Sequence, residues 1–273
     1  MSGMTYAPAD GLDISLGSDG ILRLVLNRPA KRNALDDGMV AGLIRAVEQA
    51  GQDEAVRAIT ITGSGEHFCG GFDIVSRNAE TGGRRPRAGS IQRRLPAQSH
   101  RLIPLLATVQ TPVVCAVRGW AAGIGLHLVL AADFAVVAED ARLWEPFSER
   151  GFTPDSGGTW LLPRRIGEVR AREMLLLGRA VDGREAAAWG LAHCAVPAAD
   201  VVKEADGLAA RLAAGPTVAL GLTKWLLHAA TAAELETHLR NEAFAMELSS
   251  RAEDFREGLA AFREKRPPRF SGR

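Results

Sequence analysis

The residues whose types and spacing could do chemistry are a single carboxylate, Asp155, and three glycine-rich segments. The segments cover 68–73 (FCGGFD), 118–127 (RGWAAGIGLH) and 151–164 (GFTPDSGGTWLLPR). Glycine lets a chain turn tightly and brings its backbone N–H groups close to a ligand. Three such turns therefore predict one pocket lined by backbone amides, with Asp155 as its acid/base group. A pocket of this kind suits proton transfer next to a thioester carbonyl.

Backbone amides in such a pocket would act on the negative charge that develops when a proton leaves the carbon beside a thioester. Two converging N–H groups stabilise the enolate oxygen, and losing one donor from such a site typically costs about 3 kcal/mol. If the second turn opens a buried helix, the positive end of the helix dipole adds to this effect. The alternative interpretation is that the segments are ordinary tight turns.

The order and spacing of the three segments resemble the crotonase (enoyl-CoA hydratase/isomerase) superfamily. Within that superfamily, Phe147-Ser148 followed by 151–164 is most similar to the phenylacetyl-CoA-pathway isomerase branch, the relatives like 1,2-epoxyphenylacetyl-CoA isomerase. The resemblance extends over most of the chain, from about residue 21 to residue 270.

This resemblance implies an α/β fold of two parts. A crotonase-like spiral core of ββα units would occupy 1–196, and a helical C-terminal region that builds trimers would occupy 197–273. It also implies that the two oxyanion-hole donors are the backbone amides of Phe72 and Ile124. Both side chains would narrow the pocket, since many relatives carry smaller residues at these positions.

The resemblance also bears on the reaction type. Typical hydratases of the superfamily use two glutamates, and this sequence has His127 at one position and Phe147, after Pro146, at the other. Addition of water across a double bond needs a base and an acid. Enoyl-CoA isomerisation, with Asp155 moving the proton, is therefore favoured, and hydration by a non-standard acid/base set is the alternative. The apolar neighbours of Asp155 are expected to desolvate it and make it a better proton shuttle; they are Phe152, Pro154 and Trp160.

Each candidate side chain also has a plainer interpretation. Asp155 could cap a helix that begins near Ser156, and the two roles could hold together. His127, on an apolar helix, is more often a hydrogen-bonded core residue, although it could carry a second proton or orient water. Glu145 and Glu149 are expected to be solvent-facing charges.

The two halves of an acyl-CoA substrate are assigned by the same resemblance. The acyl pocket would be lined by His100, Phe147 and Trp160. Coenzyme A, bound as part of the thioester and not as a tightly held cofactor, would lie along Ala30, Lys31, Arg32, Gly70, Asp73 and Ile74. Phe262 and Lys265 would reach it from the C-terminal tail, in some relatives from the neighbouring subunit. The plainer interpretation of this tail is a frayed basic end.

Composition excludes several classes of function. The chain has 33 basic and 32 acidic residues, so no global field favours nucleic acid or an anionic membrane. Its three cysteines are far apart, which predicts reduced thiols and no metal site. No apolar run reaches the ~20 residues of a membrane span, and no signal peptide is visible. We expect a cytoplasmic enzyme.

Hydrophobic periodicity predicts where the elements lie. Short β-branched or apolar runs indicate strands at 21–26, 58–62, 113–117 and 134–137. Helical spacing indicates a helix over 35–50 and a buried one over 125–132. After residue 197 the pattern is helical, over 201–212, 216–230, 232–248 and 252–265. Their many apolar residues predict a homotrimer, or a hexamer made of two trimers. Residues 76–98 have few apolar anchors and are expected to form a mobile surface loop.

Two other classes of protein fit the sequence less well. A catalytically silent relative that binds CoA or RNA would, in the RNA case, need a basic stripe, and the net charge of +1 argues against it. A Rossmann dinucleotide enzyme needs G-x-G-x-x-G after its first strand and an acidic residue ~20 positions on. Neither 63–65 nor 119–125 provides that pattern.

Overall fold

A computed structural model describes residues 4–80 and 87–273 of the chain. Nine strands form two sheets in these residues. The strands are β1 (Leu12–Leu16), β2 (Ile21–Leu26), β3 (Ala58–Gly63), β4 (Val113–Val117), β5 (Trp120–Ala122), β6 (Phe134–Ala138), β7 (Arg142–Trp144), β8 (Val181–Asp182) and β9 (Cys194–Val196).

The larger sheet has the strand order β1-β2-β3-β4-β6-β9. β1 and β2 are antiparallel, and every later pair is parallel. Each residue of β4 is buried, as expected for the middle of a parallel sheet that is covered on both faces. The four strands predicted from the sequence all belong to this sheet.

The smaller sheet has the order β5-β7-β8 and carries the polypeptide into the candidate site. β5 and β7 are parallel, with Ala122 opposite Trp144. Both strands end at this pair, so Gly123 and Glu145 leave the sheet side by side. The second glycine-rich turn and the segment after β7 are thereby placed next to each other.

Twelve helices pack around the sheets in the described part of the chain. They are α1 (Asp37–Ala50), α2 (Ile74–Glu80), α3 (Ser90–Arg94), α4 (Ser99–Thr108), α5 (Ile124–Ala131), α6 (Gly158–Ile166), α7 (Glu168–Leu176), α8 (Gly183–Trp189), α9 (Val201–Ala213), α10 (Thr217–Ala229), α11 (Leu235–Ser249) and α12 (Glu253–Glu264). Asp36 caps α1, since its side chain accepts a hydrogen bond from Met39 N at 2.8 Å.

The buried central helix is the main element that positions the site. Every residue of α5 is buried, and only His127 among them is strongly polar. The Arg165 guanidinium donates to the carbonyl oxygens of Leu130 and Ala132 at the C-terminal end of this helix. The sequence prediction of an all-round apolar, buried helix is confirmed.

The C-terminal helices divide into one that joins the core and others with exposed apolar faces. α9 packs on β3, β4 and β6 through buried residues such as Val201 and Ala205. α10 is held by the buried Lys224, whose Nζ lies 2.7 Å from the carboxylate of Asp133. In α11 the buried residue is Ala245, and large apolar side chains around it are exposed. The predicted division of the chain at 196/197 stays a prediction.

The expected surface loop over 76–98 is only partly a loop. Residues 81–86 lie outside the described residues. On either side of them the chain forms α2 and α3. Arg77 anchors α2, because its guanidinium contacts the Asp37 carboxylate at 2.6 Å and lies 4.5 Å from the centre of the Phe72 ring. The expectation of an unstructured segment is therefore wrong for these helical parts.

Among the helices that the structure describes, none combines the length and the apolar character needed to cross a membrane.

Candidate active site

The second glycine-rich turn places one predicted oxyanion donor at a helix start. Gly123 has φ +52°, a conformation that side-chain-bearing residues rarely adopt, and its N–H donates to Trp144 O at 2.9 Å. Ile124 is consequently the first residue of α5, where N–H groups have no partner within the helix. The positive end of the helix dipole lies at this turn.

The first glycine-rich turn packs directly against the second. Ala122 N donates to Cys69 O at 2.9 Å, and a Cβ on Gly71 would lie 3.3 Å from Ala122 O. A Cβ on Gly125 would lie 2.7 Å from Cys69 O. Side chains at these positions would force the two turns apart, so the glycines allow the close approach that the sequence pattern predicted.

The two predicted donor amides have no acceptor among the residues that the structure describes. Across residues 4–80 and 87–273, no carbonyl or side-chain oxygen accepts from Phe72 N or Ile124 N. Unpaired backbone N–H groups in a partly buried turn are unusual, because buried amides are normally hydrogen-bonded. Both donors are therefore free for a ligand oxygen. Their convergence on one point stays a prediction.

Asp155 lies on the exposed side of the site. Its Oδ1 accepts a hydrogen bond from Ser156 Oγ at 3.0 Å, and its backbone carbonyl lies 2.7 Å from His100 Nε2. The residue is exposed, as are Phe152 and Trp160. The expected desolvation of the carboxylate by these apolar neighbours is therefore wrong for the isolated chain.

The alternative role of Asp155 as a helix cap is also wrong. The helix after it, α6, begins at Gly158 and has Gly157 as its N-cap, and no side chain caps it. The carboxylate is thus not committed to a backbone amide of α6. It also forms no salt bridge among the described residues. Protonation of the carboxylate during acid/base catalysis would therefore break no salt bridge of those residues.

His127 is a fully buried residue with a hydrogen-bond partner on each ring nitrogen. Its Nδ1 lies 2.9 Å from Ser156 Oγ, and its Nε2 lies 3.0 Å from Glu145 Oε1. The Phe147 ring stacks on the imidazole at 5.9 Å between centroids. The hydrogen-bonded core interpretation of His127 is therefore correct, and the same bonds connect it to Asp155 through Ser156.

Glu145 overturns the expectation of a solvent-facing charge. It is fully buried, and its carboxylate contacts His127 Nε2 through both oxygens, at 3.0 and 3.2 Å. The expectation failed because the residue after β7 turns inward toward α5. Glu149 is exposed, as predicted.

Ser156 and Glu145 are the residues that sequence reasoning missed. One signal was available: a histidine on a buried apolar helix needs buried polar partners. That signal says that partners exist, but not which residues they are. The space for them is kept by Gly158, where a Cβ would lie 2.4 Å from His127 Nε2.

Aromatic side chains line the pocket next to the second turn. The Phe147 ring lies where a Cβ on Gly123 would meet its Cζ at 3.5 Å, and Phe152 packs edge-on against it at 5.4 Å. Trp160 is partly exposed, and the Arg164 guanidinium lies 3.9 Å from its ring centre. The structure thus brings Phe147 and His127 together, and His100 joins them through Asp155.

Most of the predicted CoA-binding residues are neighbours in the structure. Gly70 N donates to Arg32 O at 2.7 Å, and Lys31 Nζ lies 3.0 Å from the Asp73 carboxylate. Ala30 belongs to the same 3₁₀ turn as Lys31, and Ile74 begins α2 directly after Asp73. The turn after β2 and the first glycine-rich turn therefore form one surface.

Asp73 is a structural carboxylate within that surface. Burial would raise its pKa, but hydrogen bonds from Ser76 N, Lys31 and Arg28 outweigh burial and hold the pKa well below its usual range. Its side chain therefore braces the turn and leaves the positive charge of Lys31 partly neutralised.

Phe262 and Lys265 lie apart from this surface within one chain. Phe262 is 84% exposed at the end of α12, and Lys265 is exposed in the left-handed turn that ends this helix. In the described residues no hydrogen bond or salt bridge connects Lys265 to the turn at Lys31. A contact with coenzyme A from a neighbouring subunit stays a prediction.

The described residues of the site include one cysteine, Cys69, and form no cluster of metal ligands. Over the described ranges no group of three or more His, Cys, Asp or Glu residues has an arrangement that could hold a metal ion. Burial raises the pKa of the Cys69 thiol, in the first turn, to about 12. This thiol is therefore protonated and a poor nucleophile.

Comparison with known proteins agrees with this geometry. The family model for enoyl-CoA hydratase/isomerase matches residues 17–273. The 1,2-epoxyphenylacetyl-CoA isomerase of Escherichia coli K12 is 38% identical over 254 residues, which cover 93% of this chain and 96% of that protein. The "Probable enoyl-CoA hydratase" of Rhodobacter capsulatus is 39% identical over 256 residues, 94% of this chain and 96% of that one.

A solved structure shows the same fold. The enoyl-CoA hydratase crystal structure from Bacillus anthracis superposes with a TM-score of 0.89 and 29% identity, covering 96% of this chain and 100% of that one. The chain therefore belongs to the enoyl-CoA hydratase/isomerase family and has its crotonase fold. It is an acyl-CoA enzyme of that family, and relatives named for isomerisation and for hydration are about equally similar.

Proposed function

We propose that the protein is an enoyl-CoA isomerase. Asp155 takes a proton from a carbon of the acyl chain, and the electron pair of the broken C–H bond moves into the thioester carbonyl. The amides of Phe72 and Ile124 donate to the resulting enolate oxygen. Asp155 then returns the proton to another carbon, and the double bond has moved with no net change in atoms.

The observation that carries this proposal is the placement of carboxylates around the pocket. Asp155 is exposed, and among the described residues its carboxylate is hydrogen-bonded to Ser156 alone, whereas the two hydratase glutamate positions hold His127 and Phe147. His127 is fully buried beneath Phe147, so it cannot touch a substrate directly. One accessible carboxylate beside free amides suffices for proton transfer within an acyl chain.

Hydration by a non-standard acid/base set is the second candidate. It is favoured by the Glu145–His127 pair, which is a second acid/base unit connected to Asp155 through Ser156. The same unit is buried, and hydration needs a second group that reaches the substrate or its water. We therefore rank hydration below isomerisation.

A panel of enoyl- and arylacetyl-CoA esters in deuterated water, read by mass spectrometry, tests the reaction type. We expect deuterium uptake and double-bond migration to exceed hydration. Asp155→Asn keeps the size of the side chain and removes the base, so we expect it to lower the rate by about 10²–10⁴-fold. Glu149→Gln, an exposed carboxylate near the same segment, is the matched control and should retain activity. Hydration of crotonyl-CoA as the fastest reaction, or full activity of Asp155→Asn on every ester, would reject the proposal.

The oxyanion hole has its own test. Gly125→Ala would place a Cβ 2.7 Å from Cys69 and push the two turns apart. We expect a loss of catalysis of about 3 kcal/mol, the usual effect of one lost donor. Gly207→Ala is the control, since its Cβ in α9 would have no atom within 4 Å. Full activity of Gly125→Ala would argue against the paired amides.

For substrate binding, we propose that coenzyme A enters only as part of the thioester. Its head would lie along the surface formed by the turn at Lys31 and the first glycine-rich turn, and Phe262 and Lys265 would approach from a neighbouring subunit. The exposed position of both residues at the end of α12 supports this arrangement. Lys265→Ala is expected to raise KM more than it lowers kcat.

We also propose that the chain assembles as a homotrimer or a hexamer. The support is the exposed apolar surface of α11, where Leu235, Phe244 and Met246 are more than half exposed in the single chain. Exposed apolar residues of this size on one helix usually mark an interface. Sedimentation at micromolar concentration should give three or six times 29.1 kDa, and a monomer would contradict the assembly.

A further inference from the structure

The structure places a continuous chain of hydrogen bonds behind Asp155. It runs from Asp155 Oδ1 to Ser156 Oγ (3.0 Å), from Ser156 Oγ to His127 Nδ1 (2.9 Å), and from His127 Nε2 to Glu145 Oε1 (3.0 Å). We infer that Ser156, His127 and Glu145 form a proton relay that stores a proton in the interior and keeps Asp155 ionised. The inference builds on the proposed role of Asp155 as the base.

Counting hydrogens shows that this chain has two matched arrangements. In the first, Glu145 donates to Nε2, Nδ1–H donates to Ser156, and Ser156 donates to an ionised Asp155. In the second, Asp155 donates to Ser156, Ser156 donates to Nδ1, and Nε2–H donates to an ionised Glu145. Each arrangement has three hydrogens and one negative charge, and one moves to the other when three protons shift along the chain. The imidazole stays neutral and changes tautomer.

Burial decides which arrangement is preferred. Glu145 and His127 are fully inaccessible and Ser156 is nearly so, whereas Asp155 faces solvent. Desolvation disfavours the charged form of a carboxyl group. The negative charge is therefore more stable on Asp155 and the proton on Glu145. The buried carboxyl group thus supplies the substrate-facing end with an ionised base.

The described residues around the hydrogen-bond chain from Asp155 to Glu145 do not fix where its negative charge lies. His100, on α4, bonds the backbone carbonyl of Asp155, and Arg165, on α6, bonds carbonyls at the far end of α5. Among the described residues no lysine or arginine forms a salt bridge with Glu145 or Asp155. A fixed cation at either end would hold the charge in place, and no cation of the described residues does so.

The relay can be observed without a substrate. Nitrogen-15 NMR of the histidine rings, with His127 assigned from a His127→Gln variant, reports the tautomer, and carbon-13 NMR of the carboxyl groups reports the ionisation of Asp155. We expect Nδ1 of His127 to give the shift of a protonated nitrogen and Nε2 that of an unprotonated one. Because Glu145 keeps its hydrogen when Asp155 gains one from solvent, this tautomer should persist as Asp155 is protonated. Protonation of the ring itself would change both nitrogens to the protonated type instead.

Variants distinguish the relay from simple packing. In Ser156→Ala, Nδ1–H has lost its acceptor, so the preference of His127 for the Nδ1–H tautomer should weaken, and Ser156→Thr should restore it. In Glu145→Gln, the side-chain amide can donate to Nε2 as protonated Glu145 does, so the Nδ1–H tautomer should be retained. Thr153→Ala, which removes an exposed hydroxyl from the same segment, should behave like the unaltered protein.

Several results would overturn the inference. They are an Nε2–H tautomer or a protonated ring of His127 in the unaltered protein, since neither is compatible with a proton held by Glu145 at Nε2, and an Nδ1–H preference that is unchanged in Ser156→Ala. If Ser156→Ala does not fold, the carbon-13 shift of the Glu145 carboxyl group in the unaltered protein decides: an ionised Glu145 excludes the stored proton. Failure of the isomerase proposal is separate, because it would be seen as full activity of Asp155→Asn on acyl-CoA esters.

Discussion

Two buried carboxyl groups of this protein differ in what balances them. Asp73 lies 2.9 Å from the Arg28 guanidinium and 3.0 Å from Lys31 Nζ, so two basic side chains share its carboxylate. Glu145 has His127, whose imidazole can be neutral, at 3.0 Å. The basic side chains beside Asp73 favour its ionised form, and the pKa of Asp73 is lowered accordingly. The proton between Glu145 and His127 can instead lie on either residue. The comparison supports our proposal that one cluster holds the turn that binds the substrate while the other serves acid/base chemistry.

Removing Glu145 should have the largest effect on stability and should separate the two kinds of cluster. Glu145→Ala leaves a buried ring nitrogen without a partner and a cavity beside it, so we expect a loss of about 2–4 kcal/mol in the free energy of unfolding. Glu145→Gln retains a hydrogen bond and should lose less than about 1 kcal/mol. Urea denaturation measures both. Equal losses in the two variants would mean that Glu145 is a fixed charge, like Asp73.

Neutralising Asp73 should have the second-largest effect on the free energy of unfolding. Asp73→Asn leaves Arg28 and Lys31 without their shared anion, and hydrogen bonds to charged groups typically contribute about 1.5–3 kcal/mol. We expect a loss of stability in that range by the same measurement. Asp13→Asn, at an exposed carboxylate on β1, is the control and should change stability by less than about 0.5 kcal/mol. If Asp73→Asn does not lower the free energy of unfolding, Asp73 does not stabilise the turn at Lys31, and the comparison with Glu145 fails.

Filling the space at Gly158 should disturb the Glu145 cluster alone. A Cβ there would lie 2.4 Å from His127 Nε2 and 2.9 Å from Glu145 Oε1. Overpacking of this kind typically costs about 1–3 kcal/mol. Gly207→Ala, in an open position of α9, should instead stabilise by about 0.5–1 kcal/mol. The comparison fails if Gly158→Ala is as stable as Gly207→Ala and keeps the Nδ1–H tautomer of His127.

The smallest expected effect is the loss of stability at low pH. Because the pKa of Asp73 is lowered in the folded protein, its stabilisation is complete above the pKa of the unfolded chain, about 3.9, and is lost as pH falls toward the folded value. Stability attributable to Asp73 should fall by at most about 1.4 kcal/mol per pH unit below pH 4. The difference in unfolding free energy between the unaltered protein and Asp73→Asn should shrink over that window. A constant difference down to pH 2 would contradict the lowered pKa.

The features that the sequence predicted correctly are those with local causes. The strand over 21–26 and the buried helix that begins at the second glycine-rich turn follow from apolar spacing and from glycine punctuation within about a dozen residues. The sequence also predicted that the first and second glycine-rich turns are adjacent, because their glycines allow the two backbones to pack closely. Periodicity alone was enough to place α9 after residue 197.

The errors concern residues whose partners are far along the chain. Glu145 is 18 residues from His127, and Ser156 is 29 residues from it. Glu145 looks like any acidic residue after a strand until the pairing of β5 with β7 turns it toward α5. Asp155 is expected to be desolvated because its sequence neighbours are apolar, but Phe152 and Trp160 are each 42% exposed in the single chain and do not cover the carboxylate, which is itself exposed.

The sequence by itself therefore determined the family, the order of the elements and the turns that present backbone amides, since all of these depend on local pattern and spacing. Tertiary structure decided which carboxyl groups are buried, which of them faces a fixed cation, and which hydrogen bonds connect Asp155 to the interior. The physical reason is that burial and hydrogen-bond partners depend on packing between distant segments, and the ionisation of a carboxyl group depends on both.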